Sequence, residues 1–91
     1  MTIQTVDHEA ASVERVPPAP PTPRVLAARR AVGDRIRAAR LHANMTQETL
    51  AERAGLDRQA INRIEQGHAS PILDNLIRIA DALDVPLRDL V

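Results

Sequence analysis

The segment from Gln47 to Gln66 constrains the fold of this chain more than any other feature. Gly55 separates two short apolar-periodic stretches and supplies the positive φ that a tight turn needs. Ala51 is small enough to let two helices cross closely, and four larger side chains are spaced to fill the wedge between them: Leu50, Leu56, Ile61 and Ile64. The segment therefore predicts two helices that meet across a short turn.

Local capping signals set the expected ends of these helices. Thr46 and Asp57 are good N-caps, which predicts helices over Gln47–Ala54 and Arg58–Gln66. Gly67 then provides a C-terminal stop.

A long helix is predicted before this pair. Thr22 can cap it, Pro23 suits its first turn, and apolar residues recur at helical spacing to about Ala43. Gly33 costs this helix about 1 kcal/mol relative to Ala. Asn44 tolerates the left-handed conformation that ends helices.

Two further helices are predicted after the pair. Ser70-Pro71 is a cap followed by proline, and the helix it opens closes near Asp84 with these apolar residues facing inward: Ile72, Leu73, Leu76, Ile77, Ile79, Ala80 and Leu83. Val85-Pro86 opens a last turn or two with Leu87 and Leu90 on its apolar side. The fold class is all-α, a compact five-helix domain over residues 24–91.

Composition agrees with such a domain. The chain is 44% hydrophobic but contains no Phe, Tyr or Trp, so its core must be aliphatic. Residues 1–23 hold five of the seven prolines and are expected to form an extended or disordered tail without an assigned function. Docking of this tail in an aromatic groove of a partner protein is the less common alternative.

Several functional classes are disfavoured. There is no cysteine, and His8, His42 and His68 lack the spacing of a metal site, so neither metal nor cofactor is expected. No nucleophile, base and orienting group occur at recognisable spacing, which argues against an enzyme. Without a long apolar run the chain is expected to be cytoplasmic and to have no membrane partner.

Charge is neutral in total but unevenly distributed. Six arginines fall between Arg24 and Arg40, opposed there only by Asp34. Residues 24–91 carry eleven Arg against nine acids, whereas residues 1–23 carry one Arg against three acids. A genome of high GC content would explain the use of Arg in place of Lys, but it does not explain the clustering.

The helix predicted over 58–66 has a polar face that could read DNA. Because Ile61 and Ile64 face inward, the opposite face carries only hydrogen-bonding side chains and no acid: Arg58, Gln59, Asn62, Arg63 and Gln66. Arg can bond guanine O6 and N7, and Gln or Asn can bond adenine N6 and N7. An ordinary solvated helix face is the alternative. We expect Arg58, Gln59, Asn62 and Arg63 to contact bases.

The chain resembles the phage-repressor and Cro type of helix-turn-helix, the XRE family. The likeness spans about Val32 to Val91 and rests on the glycine-turn pair together with four flanking stretches: Ile36-Arg37-Ala-Ala-Arg40, Met45-Thr46-Gln47, Ile64-Glu65-Gln-Gly67 with Ser70-Pro71, and Leu76-Ile77-Arg78-Ile79-Ala80-Asp-Ala-Leu83. Asp57 and Asp84 depart from the residues usual there, although both suit capping. The resemblance implies a transcriptional regulator that has double-stranded DNA as its partner, and a repressor is the expected kind.

The resemblance also implies roles for single residues. Gln47 would bond a backbone phosphate and help orient Gln59, and the exposed amides at a helix N-terminus independently suit an anion. Gln66 and His68 are placed with the phosphate contacts. Arg40 and Glu65 resemble a partly buried ion pair. Arg37 and Arg53 are either solvated charges or weak phosphate contacts.

A homodimer is expected, since one short helix reads only a few base pairs. The last predicted helix, with Val85, Leu87, Leu90 and Val91, is the predicted contact surface. Two alternatives stay open at this point: an antitoxin that binds DNA and, through the tail, a protein partner, and a protein adaptor that does not bind DNA.

Overall fold

The computed structural model describes residues 19–91, and the predicted tail up to residue 18 lies outside the described residues. Four α-helices and one 3-10 turn follow in order: α1 Pro23–His42, α2 Gln47–Ala54, α3 Arg58–Glu65, α4 Leu73–Leu83 and the 3-10 turn Leu87–Asp89. Residues 19–91 contain no strand, so the predicted all-α class is confirmed. The expected count of five helices is wrong in one respect, because the last element is a single 3-10 turn.

The predicted limits of α1 are confirmed at both ends. The hydroxyl of Thr22 accepts a hydrogen bond from the backbone N–H of Val25 at 3.2 Å, and Pro23 occupies the first helical turn. Ala43 is the C-cap, and Asn44 follows it at a φ of 56°. The side-chain cap and the left-handed residue together explain why the helix begins and ends where it does.

The glycine-turn pair also forms as predicted. The hydroxyl of Thr46 accepts from the N–H of Thr49 at 3.0 Å, and the carboxylate of Asp57 accepts from the N–H of Gln59 at 3.4 Å. Gly55 takes a φ of 70° between the two helices. The second helix is one residue shorter than predicted, because Gln66 is its C-cap rather than its last residue.

The start of α4 was predicted incorrectly. Its N-cap is Ile72, without a side-chain capping bond, so Ser70 does not cap the helix. Ile72 has extended backbone and is 63% exposed, although as a helical residue it would share the buried face of Ile79. Leu73 and Ile77, 60% and 40% exposed, lie four residues apart on another face of α4. Three of the seven residues expected to face inward therefore lie on the surface.

The core is aliphatic and draws on every helix: its members are Ile36, Leu50, Ala51, Ala54, Ile61, Ile64, Ile79, Ala80, Leu83 and Leu90. Asp84 ends α4 at a φ of 56°, and the 3-10 turn then carries Leu90 into the interior, where it is fully buried. Leu90 is thus unavailable for contact with a second copy, which corrects its predicted place at the dimer surface. Across residues 19–91, no helix has the length and apolar character that a bilayer crossing demands.

Gly33 allows α1 to cross directly over the C-terminal end of α3. A Cβ at this position would overlap the carbonyl oxygen of Ile64 and lie 2.7 Å from that of Glu65. Gly33 is buried in this contact. The glycine that weakens the helix on its own is therefore required by the packing of α1 on α3.

Candidate nucleic-acid interface

The outer face of α3 presents the side chains that the sequence singled out. Arg58, Gln59 and Arg63 are exposed, whereas Asn62 is half-buried. Ile61 and Ile64 lie on the opposite side of the helix in the core. Within α3 this face carries no acid, because Glu65, the one acidic residue of the helix, is buried. Asp57 is exposed, but it lies before the helix, where its carboxylate caps the N-terminus. Such a face offers guanidinium donors, together with amide groups that both donate and accept, to the base edges of a major groove.

An ion pair between Arg40 and Glu65 holds the C-terminal end of α3 in place. The guanidinium of Arg40 donates to both carboxylate oxygens of Glu65, from Nε to Oε2 at 2.7 Å and from Nη2 to Oε1 at 3.0 Å. Its Nη1 donates to the backbone carbonyl of Met45 at 2.9 Å. The hydrogen bond to Glu65 is the main reason that the pKa of Arg40 lies above its ordinary value; burial opposes this and the charge of Glu65 adds to it. The pair joins α1 to the last turn of α3.

Gln47, in the first turn of α2, connects the ion pair to the polar face. Its Nε2 donates to Oε1 of Glu65 at 3.2 Å and to Oδ1 of Asn62 at 3.2 Å. In the part of the chain that the structure describes, no hydrogen bond joins Gln47 to Gln59, the residue that the resemblance led us to expect. The orientation of Gln59 by Gln47 stays a prediction for the DNA-bound protein.

Asn62 receives a second hydrogen bond from the C-terminal side. Nε2 of Gln66 donates to Oδ1 of Asn62 at 3.3 Å, so one amide oxygen accepts from Gln47 and from Gln66. The amide nitrogen of Asn62 makes no hydrogen bond within residues 19–91, so it can donate to another partner. Bidentate contact with adenine would also use the oxygen, so that contact requires one of the two internal bonds to break.

The chain of Arg40, Glu65, Gln47, Asn62 and Gln66 was not predicted as a unit. We call these five residues the polar relay. The spacing of Asn62 and Gln66, four apart on one helix, is a signal for their contact in the sequence. The bonds of Gln47 to α3 carry no such signal, because they depend on the angle at which α2 meets α3.

The remaining predicted site residues lie at the two ends of α3. Gly55, in the turn before the helix, has open space where a Cβ would stand, so its requirement is the positive φ alone. Ala51 is 3% exposed at the crossing of α2 and α3. His68 is exposed in the loop after α3, next to Gly67, which packs against the backbone of Arg30. No three acidic or histidine side chains within residues 19–91 are grouped so that they could hold a metal ion.

Comparison with known proteins identifies the same segment. A family model described as Helix-turn-helix matches residues 36–90. The cryptic phage CTXphi transcriptional repressor RstR of Vibrio cholerae is 34% identical over 47 residues, which are 52% of this chain and 42% of that protein. The chain thus spans about two fifths of the length of this curated relative.

Solved structures share the fold. The restriction-modification controller protein C.AhdI from Aeromonas hydrophila superimposes with a TM-score of 0.70 at 37% identity, covering 71% of this chain and 98% of that one. The hypothetical transcription factor NHTF from Neisseria superimposes with a TM-score of 0.68 at 28% identity, covering 82% and 85%. The family match includes the whole glycine-turn pair and the polar relay. The chain therefore belongs to the phage-repressor and Cro type of helix-turn-helix family, the XRE family of DNA-binding transcription regulators.

Proposed function

We propose that this protein binds an operator by placing α3 in the major groove and thereby represses transcription. The observation that supports this most is the acid-free outer face of α3, held in position from behind by the buried pair of Arg40 and Glu65. A rigidly held helix is what direct readout requires, since base contacts discriminate only when side chains reach fixed positions. RstR, a relative, is named a transcriptional repressor.

Individual roles follow from position on this face. Arg58, Gln59, Asn62 and Arg63 contact base edges. Gln47, Gln66 and His68 border α3 and contact phosphates, which set the register of the helix on the duplex. The exposed arginines supply the bidentate contacts to guanine. Neither a catalytic role nor a cofactor is part of this proposal, and the protein acts in the cytoplasm.

The protein acts as a homodimer in this proposal, because two half-sites supply the affinity that one short helix lacks. The surface that joins two copies is an apolar patch formed by Ile72, Leu73 and Ile77, which we call the α4 patch. Asp74 and Arg78 lie four residues apart on the same helix, and their opposite charges can pair with each other across a two-fold axis. Ile72 also lines a shallow pocket with Arg63 of α3, so the α4 patch borders the DNA-facing side.

The test is site selection from random duplex DNA, followed by binding of variants to single-base variants of the selected duplex. Arg58→Ala and Gln59→Ala should each cost about 1 to 3 kcal/mol on the preferred duplex and relax preference at particular positions. Gln47→Ala should weaken binding evenly across sequences. Arg88→Ala, the same change on the 3-10 turn, is the matched control and should leave base preferences intact. Unaltered preferences in the Arg58 and Gln59 variants would overturn the assignment of α3 as reader.

The two alternative functions remain distinguishable by simple observations. An antitoxin would co-purify with a protein partner, and removal of residues 1–18 would abolish that association. An adaptor would show no salt-sensitive retention on DNA.

A further inference from the structure

The first three turns of α1 lie outside the segment that the family model matches. That match begins at residue 36, whereas α1 begins at Pro23. The additional turns are rich in arginine and carry one acid, Asp34. They form one continuous helix with the rest of α1, so their positions relative to α3 are set by the same packing.

Two glycine contacts place this extension beside the C-terminal end of α3. Gly33 lies directly on the last carbonyl groups of α3. One turn before Gly33, the backbone of Arg30 lies against Gly67. A Cβ added to Gly67 would stand 3.1 Å from the Cα of Arg30. Because Gly67 lies between Gln66 and His68, the backbone of Arg30 adjoins the loop that carries two of the proposed phosphate contacts.

Arg30 and Arg37 share one exposed stripe of α1. They are seven residues apart, which is about two helical turns, and both are exposed. Arg35 lies about 140 to 160° around the helix from both, on the side away from α3. Arg35 is therefore the same type of residue as Arg30 and Arg37, but it lies on the face of α1 away from α3.

No acid within residues 19–91 neutralises the charges of this stripe. Among residues 19–91 the only ion pair is that of Arg40 with Glu65, so Arg30 and Arg37 make none. Asp34 stands four residues after Arg30, a spacing that permits a pair, yet no pair forms. Two guanidinium groups that no described acid pairs, beside the surface proposed to bind DNA, are suited to phosphate oxygens.

We propose that Arg30 and Arg37 bind DNA phosphates beyond the base pairs that α3 reads, so that α1 extends the contact along the duplex. This inference rests on the proposed function. The contact is electrostatic and independent of sequence, because guanidinium groups on phosphates release counterions but do not touch base edges. It adds affinity and salt dependence and leaves base preference unchanged.

The test uses the full chain, the duplex selected by the wild-type protein and an unselected duplex of equal length. For Arg30→Gln and for Arg37→Gln, the slope of log affinity against log salt should fall by about 1 each on both duplexes. The affinity change between 50 mM and 200 mM salt should accordingly shrink by about 3.5-fold per residue. Arg35→Gln removes the same charge from the opposite side and should leave the slope at the wild-type value.

Retention of charge provides the second comparison. Arg30→Lys and Arg37→Lys should keep the wild-type slope, since a point charge suffices for a phosphate, and they show that a loss in the Gln variants is not caused by misfolding. A slope in the Gln variants equal to that of Arg35→Gln would overturn the inference, as would an altered base preference. If the wild-type protein selected no sequence at all, the proposed function would fail while the slopes on the unselected duplex still decided this inference.

Discussion

At the residue scale, helix propensity favours alanine over glycine at position 33, whereas packing against α3 excludes alanine. Replacement of an interior helical glycine by alanine normally gains about 1 kcal/mol. Here the new Cβ would overlap backbone oxygens of Ile64 and Glu65, which cannot rotate away as a side chain would. We expect Gly33→Ala to destabilise the fold by about 1 to 3 kcal/mol, as overpacking does in cores.

Thermal unfolding of the Gly33 variant measures this effect, with about 4 to 8 °C of melting temperature expected per kcal/mol for a domain of this size. Ala38→Gly on the exposed side of α1 is the control for propensity alone and should lose about 1 kcal/mol. A higher melting temperature for Gly33→Ala would contradict the close crossing of α1 over α3.

At the scale of elements, the pair of Arg40 and Glu65 joins α1 to α3. Their side chains are 9% and 2% exposed, so removal of one partner leaves an uncompensated charge in the interior. We expect Arg40→Met or Glu65→Gln to cost about 3 to 5 kcal/mol in the free energy of unfolding, with much of that cost shared in the double variant. Chemical denaturation of the four proteins of the cycle measures the coupling. Glu52→Gln on the exposed side of α2 is the control, and a coupling near zero would refute the link between the helices.

The helix limits show what local sequence can and cannot specify. The start of α1 and both ends of α2 were predictable, because Thr22, Thr46 and Gly55 act within one turn of their own position. The start of α4 was not predictable by the same logic. Pro71 is half-buried and lines a groove together with Val25 and Val32 of α1, and the backbone after it is still extended at Ile72. The packing of α1 beside this segment is tertiary, so local capping signals do not include it.

The candidate site likewise has one part that the sequence predicts and one part that depends on tertiary structure. The outward positions of Arg58, Gln59 and Arg63 follow from helical periodicity alone, given two inward isoleucines. The bonds from Gln47 to Asn62 and Glu65 required the three-dimensional angle between α2 and α3, and periodicity does not contain that angle.

At the scale of the whole molecule, two surfaces are candidates for the contact between two copies: the α4 patch and the chain end. At the chain end Leu90 is buried in the core, whereas Val91 is 57% exposed. We expect Leu73→Asp combined with Ile77→Asp to convert a dimer to a monomer, because charges would be buried without partners in the contact. Sedimentation of the free protein measures the mass, and binding to a full selected site should weaken in parallel.

Val91→Asp is the discriminating control for this prediction. It places the same charge on the surface that the sequence alone had suggested and should leave the dimer intact. Dissociation by Val91→Asp, with an unaffected Leu73 and Ile77 variant, would return the contact to the chain end.

The polar relay also limits how this protein could be retargeted to a new DNA sequence. Asn62 accepts hydrogen bonds from Gln47 and Gln66, and Gln47 is bonded in turn to Glu65 of the buried pair. A change of base preference made at Asn62 would therefore alter the support of the scaffold together with the readout. Arg58, Gln59 and Arg63 make no side-chain hydrogen bonds within residues 19–91, so they can be exchanged independently of the core. A library that diversifies these three positions and retains Asn62 keeps the frame on which any new specificity must be built.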